Sequence, residues 1–175
     1  MGQLIVLIGA SGSGKTAVAE LLEQRSPWTG HTHYFDSIGV PSVEEMESYG
    51  GGEAWQRRAS EEWVRRIARL RSPLELLEGQ TRPTFLQPEL MNHPELEPTI
   101  ILLDCNPSVR RHRLVELRKQ GELDNSTMEN WAAYLRGQAD ALGLPVIDTS
   151  DLTLEGVAAA VEIAAGVPNV SEDAL

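Results

Sequence analysis

The sequence predicts an α/β protein built on a mostly parallel sheet with helices on both faces. Three observations carry this prediction. Short apolar runs alternate along the chain with amphipathic stretches of helical period, the pattern of right-handed βαβ units. The first apolar run leads straight into "GASGSGKT" and then a helix. The composition, 41% hydrophobic and 23% charged over 175 residues, is that of one ordinary globular domain with a substantial core.

Residues 3–8, "QLIVLI", form the first strand, because a continuous apolar run suits a strand buried on both faces. A helix follows from about Gly14 to Gln24, with Val18, Leu21 and Leu22 on one face. "THYF" (32–35) is a second strand, ending at Asp36. "GGG" (50–52) breaks the chain before a helix over about 53–71. Trp55, Ala59, Trp63, Ile67 and Leu70 make its apolar stripe, and Glu61/Arg65 and Glu62/Arg66 pair at i,i+4. "PLELLE" (73–78) is a third strand interrupted by Glu75, and "TIILLD" (99–104) a fourth. A helix from about Ser108 to Lys119 and the polar turn "QGELDN" come next. "STME" (126–129), a capping-box signature, then opens a helix running to Gly143. "LPVID" (144–148) is the fifth strand, "TLEGVAAAVEIAA" (153–165) a closing helix, and "GVPNVSEDAL" a frayed tail. No repeat or linker divides the chain, so 1–175 is expected to be a single domain.

Charge and cysteine usage narrow the function. A net charge of −11 and a pI near 4.8 argue against a polyanion such as nucleic acid as main partner. The single cysteine, Cys105, allows no internal disulfide and is expected as a small buried hydrophobe at a strand end. His31, His33, His93 and His112 lack metal-ligand spacing, so no structural metal is expected. No apolar run reaches the length of a membrane span, and "MGQLIV" has no basic leader, which predicts a soluble cytoplasmic protein.

"GASGSGKT" fits G-x-x-x-x-G-K-[ST], the phosphate-binding loop or P-loop. Gly9, Ala10, Ser11, Gly12, Ser13 and Gly14 would turn backbone N–H groups inward around phosphate oxygens. Lys15 would reach the β- and γ-phosphates, Thr16 would ligate Mg²⁺, and the following helix points its positive end at the same anion. Lys15 and Lys119 are the only lysines among fifteen basic residues, and no N/T-K-x-D guanine motif is present. The chain is too short for an ABC signature segment or an AAA+ lid domain. A small P-loop kinase remains.

On these residues the sequence resembles the adenylate-kinase-like family of P-loop kinases, which includes nucleotide, shikimate and gluconate kinases and chloramphenicol phosphotransferase. The resemblance implies the P-loop NTPase fold: a five-stranded parallel sheet of order 2-3-1-4-5, an acceptor-binding insertion over about 37–72 and a short lid over about 113–127. "LLEGQTR" (76–82) is similar to the family's "LLDGFPR", with Glu for Asp, Gln for Phe and Thr for Pro. That match assigns Glu78 to the carboxylate near Mg²⁺ and Arg82 to the acceptor's anionic group. "LDCNPSVRRHRLVELRK" (103–119) resembles the strand-to-lid segment. It assigns Arg113 and Arg118 to the arginines that clamp the phosphates and adds Arg110 to the nucleotide contacts. The spacing of Arg113 and Arg118 is one residue longer than in adenylate kinases. Arg136 is a further candidate for the acceptor, and "VIDTSDL" (146–152), with Thr149, sits where the family wraps a loop around the adenine.

"FDS" (35–37) resembles the "VDS" of chloramphenicol phosphotransferase and assigns Asp36 to the acceptor hydroxyl. An alcohol holds its proton to a pKa of about 16, so a carboxylate that takes it late in the transition state is useful. A nucleotide phosphate is already an anionic nucleophile. Asp36 could also join Thr16 and Glu78 at Mg²⁺. The expectation is an ATP- and Mg²⁺-dependent kinase acting on a small molecule, at a hydroxyl. An acceptor with one anionic group would satisfy both Asp36 and Arg82. Two alternatives stay open: a nucleotide kinase, and an ATP-binding regulatory protein without transfer activity. The acceptor's identity, GTP as donor and the oligomeric state stay open as well.

Overall fold

The computed structural model describes residues 1–167. Five parallel strands form one sheet of order β2-β3-β1-β4-β5. They are β1 (Gly2–Ile8), β2 (Thr32–Tyr34), β3 (Leu74–Gly79), β4 (Leu96–Asp104) and β5 (Val146–Asp148). The expected order and the expected five strands are both found.

The central strand explains the two layers. Successive side chains of β1 point to opposite faces. Leu4, Val6 and Ile8 pack with α3 (Gly52–Leu70), α4 (Pro83–Asn92) and α6 (Ser126–Leu142). Ile5 and Leu7 pack with α1 (Lys15–Glu23) and α7 (Leu154–Ala165). Because both faces are covered, Leu4 to Ile8 are fully buried, which is why the run reads as unbroken apolar sequence.

Glu75 does not interrupt β3. It is buried and hydrogen-bonded to His31 Nδ1 at 3.2 Å and His33 Nε2 at 2.6 Å. The carboxylate is satisfied from β2 and the residues before it, so it can occupy a core strand. Of the α3 stripe, Ala59, Trp63 and Ile67 are buried and Trp55 is partly so, while Leu70 in the last turn is exposed. Cys105 is buried just past β4, as expected.

Two helices were not foreseen. α2 (Val43–Ser48) is capped by Ser42 and Glu45 in a reciprocal capping box but buries no residue, so no apolar period announces it. α4 starts with Pro83 and contains Pro88, and prolines at that density read as a breaker. β4 begins at Leu96 rather than 99. The expected helix over 108–119 is a short α5 (Pro107–Arg111) continued by a π-helical segment (His112–Leu117). Of the tail expected to fray, residues 168–175 lie outside those described. No helix among the described residues is long and apolar enough to cross a membrane.

Gly79, where β3 ends, is a close-approach position. A Cβ there would overlap Phe35 Cβ, and Phe35 opens the 3₁₀ turn (Phe35–Ile38) that carries Asp36. Gly79→Ala is expected to cost roughly 1–3 kcal/mol through overpacking. The check is the urea midpoint, and an unchanged midpoint would mean that Phe35 is not wedged against the strand.

Candidate active site

The site forms at the carboxyl ends of β1, β2 and β3. Between β1 and α1 the loop holds Gly12 at φ 82° and Gly14 at φ 97°, a left-handed region where glycine carries little strain. Gly14 precedes α1 without any side-chain cap, leaving the first amides of the helix directed outward as an anion cradle. Ser13 Oγ is buried with no hydrogen-bond partner. A free buried hydroxyl beside uncapped amides fits a phosphate-bearing ligand.

Lys15 is only 6% exposed, with Nζ 3.7 Å from Glu78 Oε1. Thr16 Oγ1 donates to that same oxygen at 3.0 Å. Parallel pairing sets this up, since Glu78 stands opposite Leu7 in the β1–β3 register. Burial pushes the Lys15 ammonium down in pKa against the pull of Glu78, and pushes the Glu78 carboxyl up against the pull of Lys15. Asp36 is exposed on the turn after β2, and its negative charge raises the pKa of both. Of the four predicted residues, Lys15, Thr16 and Glu78 are in direct contact, and Asp36 stands two residues beyond Tyr34, which pairs with Glu78, while lining neither cavity described below. Their hydroxyl and carboxylate oxygens are a donor set suited to a hard cation such as Mg²⁺.

The arginines separate into distinct settings. Arg113 reaches back over the P-loop, donating to Gly12 O at 3.2 Å, Ser13 O at 3.3 Å, Thr149 Oγ1 at 2.8 Å and Thr149 O at 2.7 Å. Thr149 is buried and donates its hydroxyl to Ser13 O at 2.9 Å, so Arg113 and Thr149 together tie the loop after β5 to the P-loop. Arg118 is exposed, lines the same cavity and lowers the Lys15 pKa by its charge. Its position depends on the π-helical segment, in which Arg118 N bonds Arg113 O, an i→i+5 bond. A π-turn accommodates one extra residue, the length by which the arginine spacing exceeds that of the resembled family. Arg111 pairs with Asp124 at 2.9 Å.

Two assignments do not hold geometrically. Arg110 is 2% exposed, bidentate to Glu129 at 2.8 Å and bonded to Asp104 and Cys105 O. Its Cγ lies 2.9 Å from where a Cβ on Gly12 would stand, so it braces the P-loop from behind rather than facing a ligand. Arg136 pairs with Asp104 at 3.4 Å and Asp140 at 3.3 Å and lines neither of the two cavities described next. On α6 it looks away from the acceptor side because Asp104 ends the neighbouring strand β4.

One cavity opens at the P-loop and a second lies next to it. The first, about 500 Å³, runs from Gly12–Val18 past Arg113 and Arg118 to an apolar end formed by Leu117, Leu152, Leu154 and Val157. The second, about 430 Å³, is lined by Glu53 and Gln56 of α3, Gln80 and Arg82 after β3, and Trp131 of α6. Gln80 Nε2 donates to Ser11 Oγ at 2.7 Å, so one side chain separates this cavity from the P-loop. Arg82, expected at the acceptor's anionic group, lines this cavity, where it bonds Gln56 and sits 5.0 Å from the Phe85 and Trp131 ring centroids and 5.5 Å from that of Tyr134. Sequence reasoning did not assign Gln56, Gln80, Glu53 or Trp131. Gln80 stood inside the quoted "LLEGQTR"; the others carry no local signal.

No protein-family model and no curated protein matches the chain. Solved structures do. A gluconokinase from Sinorhizobium meliloti 1021 superposes with TM-score 0.69 at 18% identity, over 94% of this chain and 91% of that one. The tunicamycin resistance protein of Deinococcus radiodurans gives TM-score 0.62 at 22% identity, over 96% and 98%. Shikimate kinase from Acinetobacter baumannii, solved with shikimate, gives 0.61 at 15%, over 93% of each chain. The chain shares the fold of these structures. At such identities the likeness is one of architecture, and chemistry must be argued from the site.

Proposed function

We propose that this protein is an ATP- and Mg²⁺-dependent kinase that transfers the γ-phosphoryl group to a hydroxyl of a small molecule. The observation that carries it is the exposed Asp36 carboxylate near the Lys15–Glu78–Thr16 group, of which Lys15 and Glu78 are buried, with a second cavity one side chain from the P-loop. The P-loop from Gly9 to Gly14 and Lys15 hold the ATP phosphates, and the apolar end of the first cavity takes the base. Thr16 and Glu78 would hold Mg²⁺, which would supply charge neutralisation on the phosphates. Residues 37–72 build the acceptor side and about 113–127 close over the phosphates, within one domain.

Asp36 accepts the acceptor's proton as its oxygen bonds to the γ-phosphorus and the bond from that phosphorus to the β,γ-bridging oxygen breaks, releasing ADP. Arg118 meets the charge that spreads over the transferring group. A coupled ADP-release screen against hydroxylated metabolites tests this. ADP formed only with nucleoside monophosphates would favour a nucleotide kinase, and ATP binding without turnover a regulatory protein.

The two lid arginines should differ. Arg118→Ala is expected to lower kcat by about 10²-fold while KM for ATP stays within a few-fold, because that side chain acts on the transition state. Arg113→Ala should chiefly raise KM for ATP, since its bonds shape the P-loop and Thr149. Equal effects of both on KM alone would remove Arg118 from the chemical step.

A further inference from the structure

Resting on that kinase reading, we propose that the second cavity selects an uncharged, hydroxyl-rich ring compound such as a sugar, and discriminates against acceptors bearing phosphate or carboxylate. An anionic acceptor needs a free cation, and among the described residues the only cation lining this cavity is Arg82. Its guanidinium is already committed: to Gln56 Oε1, to Glu53 at 3.6 Å, and to the faces of Phe85, Trp131 and Tyr134. Glu53 balances its charge, so the lining is formally neutral. An entering anion would meet the Glu53 carboxylate and no uncommitted cation.

The remaining polar groups indicate what does fit. One N–H of Gln56 Nε2 goes to Gln80 O at 2.7 Å and one of Gln80 Nε2 to Ser11 Oγ at 2.7 Å. That leaves the Glu53 carboxylate and Gln80 Oε1 as acceptors, and the second N–H of each amide and the Thr127 hydroxyl as donors, so a ligand must both donate and accept. Hydroxyl groups do both. The other wall is apolar, formed by Trp131, Met128 and Leu123. Trp131 stacks on Tyr134 with centroids 5.5 Å apart and planes at 15°, which holds the indole as a rigid platform. A small ring with an apolar side for Met128, Leu123 and the indole edge and hydroxyls at its rim matches both walls.

The test uses matched pairs in the ADP-release assay: glucose with glucuronate, N-acetylglucosamine with its 6-phosphate, and adenosine with AMP. The expected result is that whichever pair is active prefers its neutral member by at least about tenfold in kcat/KM. Glu53→Gln should shift that ratio toward the anionic member by roughly tenfold, as a repelling charge is removed. Preference for an anionic member by the wild-type protein overturns the proposal and leaves the kinase reading standing. Binding of a neutral ring that changes wild-type but not Trp131→Phe fluorescence, with no ADP formed, supports this cavity assignment and overturns the kinase reading.

Discussion

Lys15→Ala is expected to cut ATP turnover by about 10²–10³-fold or more while the chain stays folded. Lys15 is one of two lysines in the protein and the one buried at the P-loop, so no neighbour of its kind can substitute. Burial already lowers its pKa, meaning that the folded state opposes its charged form. Removing it relieves that opposition and leaves the Glu78 carboxyl, itself pushed up by burial, free to take a proton. The fold therefore loses little, whereas the β- and γ-phosphates lose their one ammonium partner. Steady-state turnover with circular dichroism as the folding control reads both. Undiminished turnover in a folded variant would sink the P-loop assignment.

Asp36→Asn should reduce phosphoryl transfer by roughly 10²–10⁴-fold, the usual contribution of a general base, while ATP still binds. Asparagine preserves shape and one accepting oxygen but cannot take the acceptor's proton. Asp36 also adds negative charge beside Lys15 and Glu78, so its loss could act through Mg²⁺ instead. The acceptor-free ATPase rate separates the two roles, because water then replaces the alcohol. Transfer lost with ATPase retained identifies a base aimed at a hydroxyl. Both lost together would make Asp36 a metal residue, and both retained would return the function to a nucleotide kinase.

Much of this site was legible because its parts are local in sequence. The P-loop is eight consecutive residues, and the "FDS" and "LLEGQTR" segments end strands that the sheet brings side by side. Strand β1 was legible for a related reason: burial on both faces leaves only apolar choices. Where partners lay far apart in sequence, local pattern failed. Glu75 looked like an interruption because His31 and His33, more than forty residues earlier, satisfy it. α2 and α4 were missed because one buries nothing and the other carries two prolines.

The sequence by itself determined the strands and the phosphate loop with Lys15 and Thr16, since short-range patterning suffices for these, and the resemblance implied the strand order and the places of Asp36 and Glu78. Only the tertiary structure decided among the arginines. Composition makes Arg82, Arg110, Arg113, Arg118 and Arg136 alike, and a guanidinium is available to a ligand only where no carboxylate, carbonyl or ring has already claimed it. Packing buries Arg110 against Glu129 and Asp104, turns Arg136 to Asp104 and Asp140, and encloses Arg82 in aromatic rings. It leaves Arg118 exposed beside the phosphate cradle, at a position set by the π-helical segment. That distribution depends on contacts between segments distant along the chain, which no local spacing encodes.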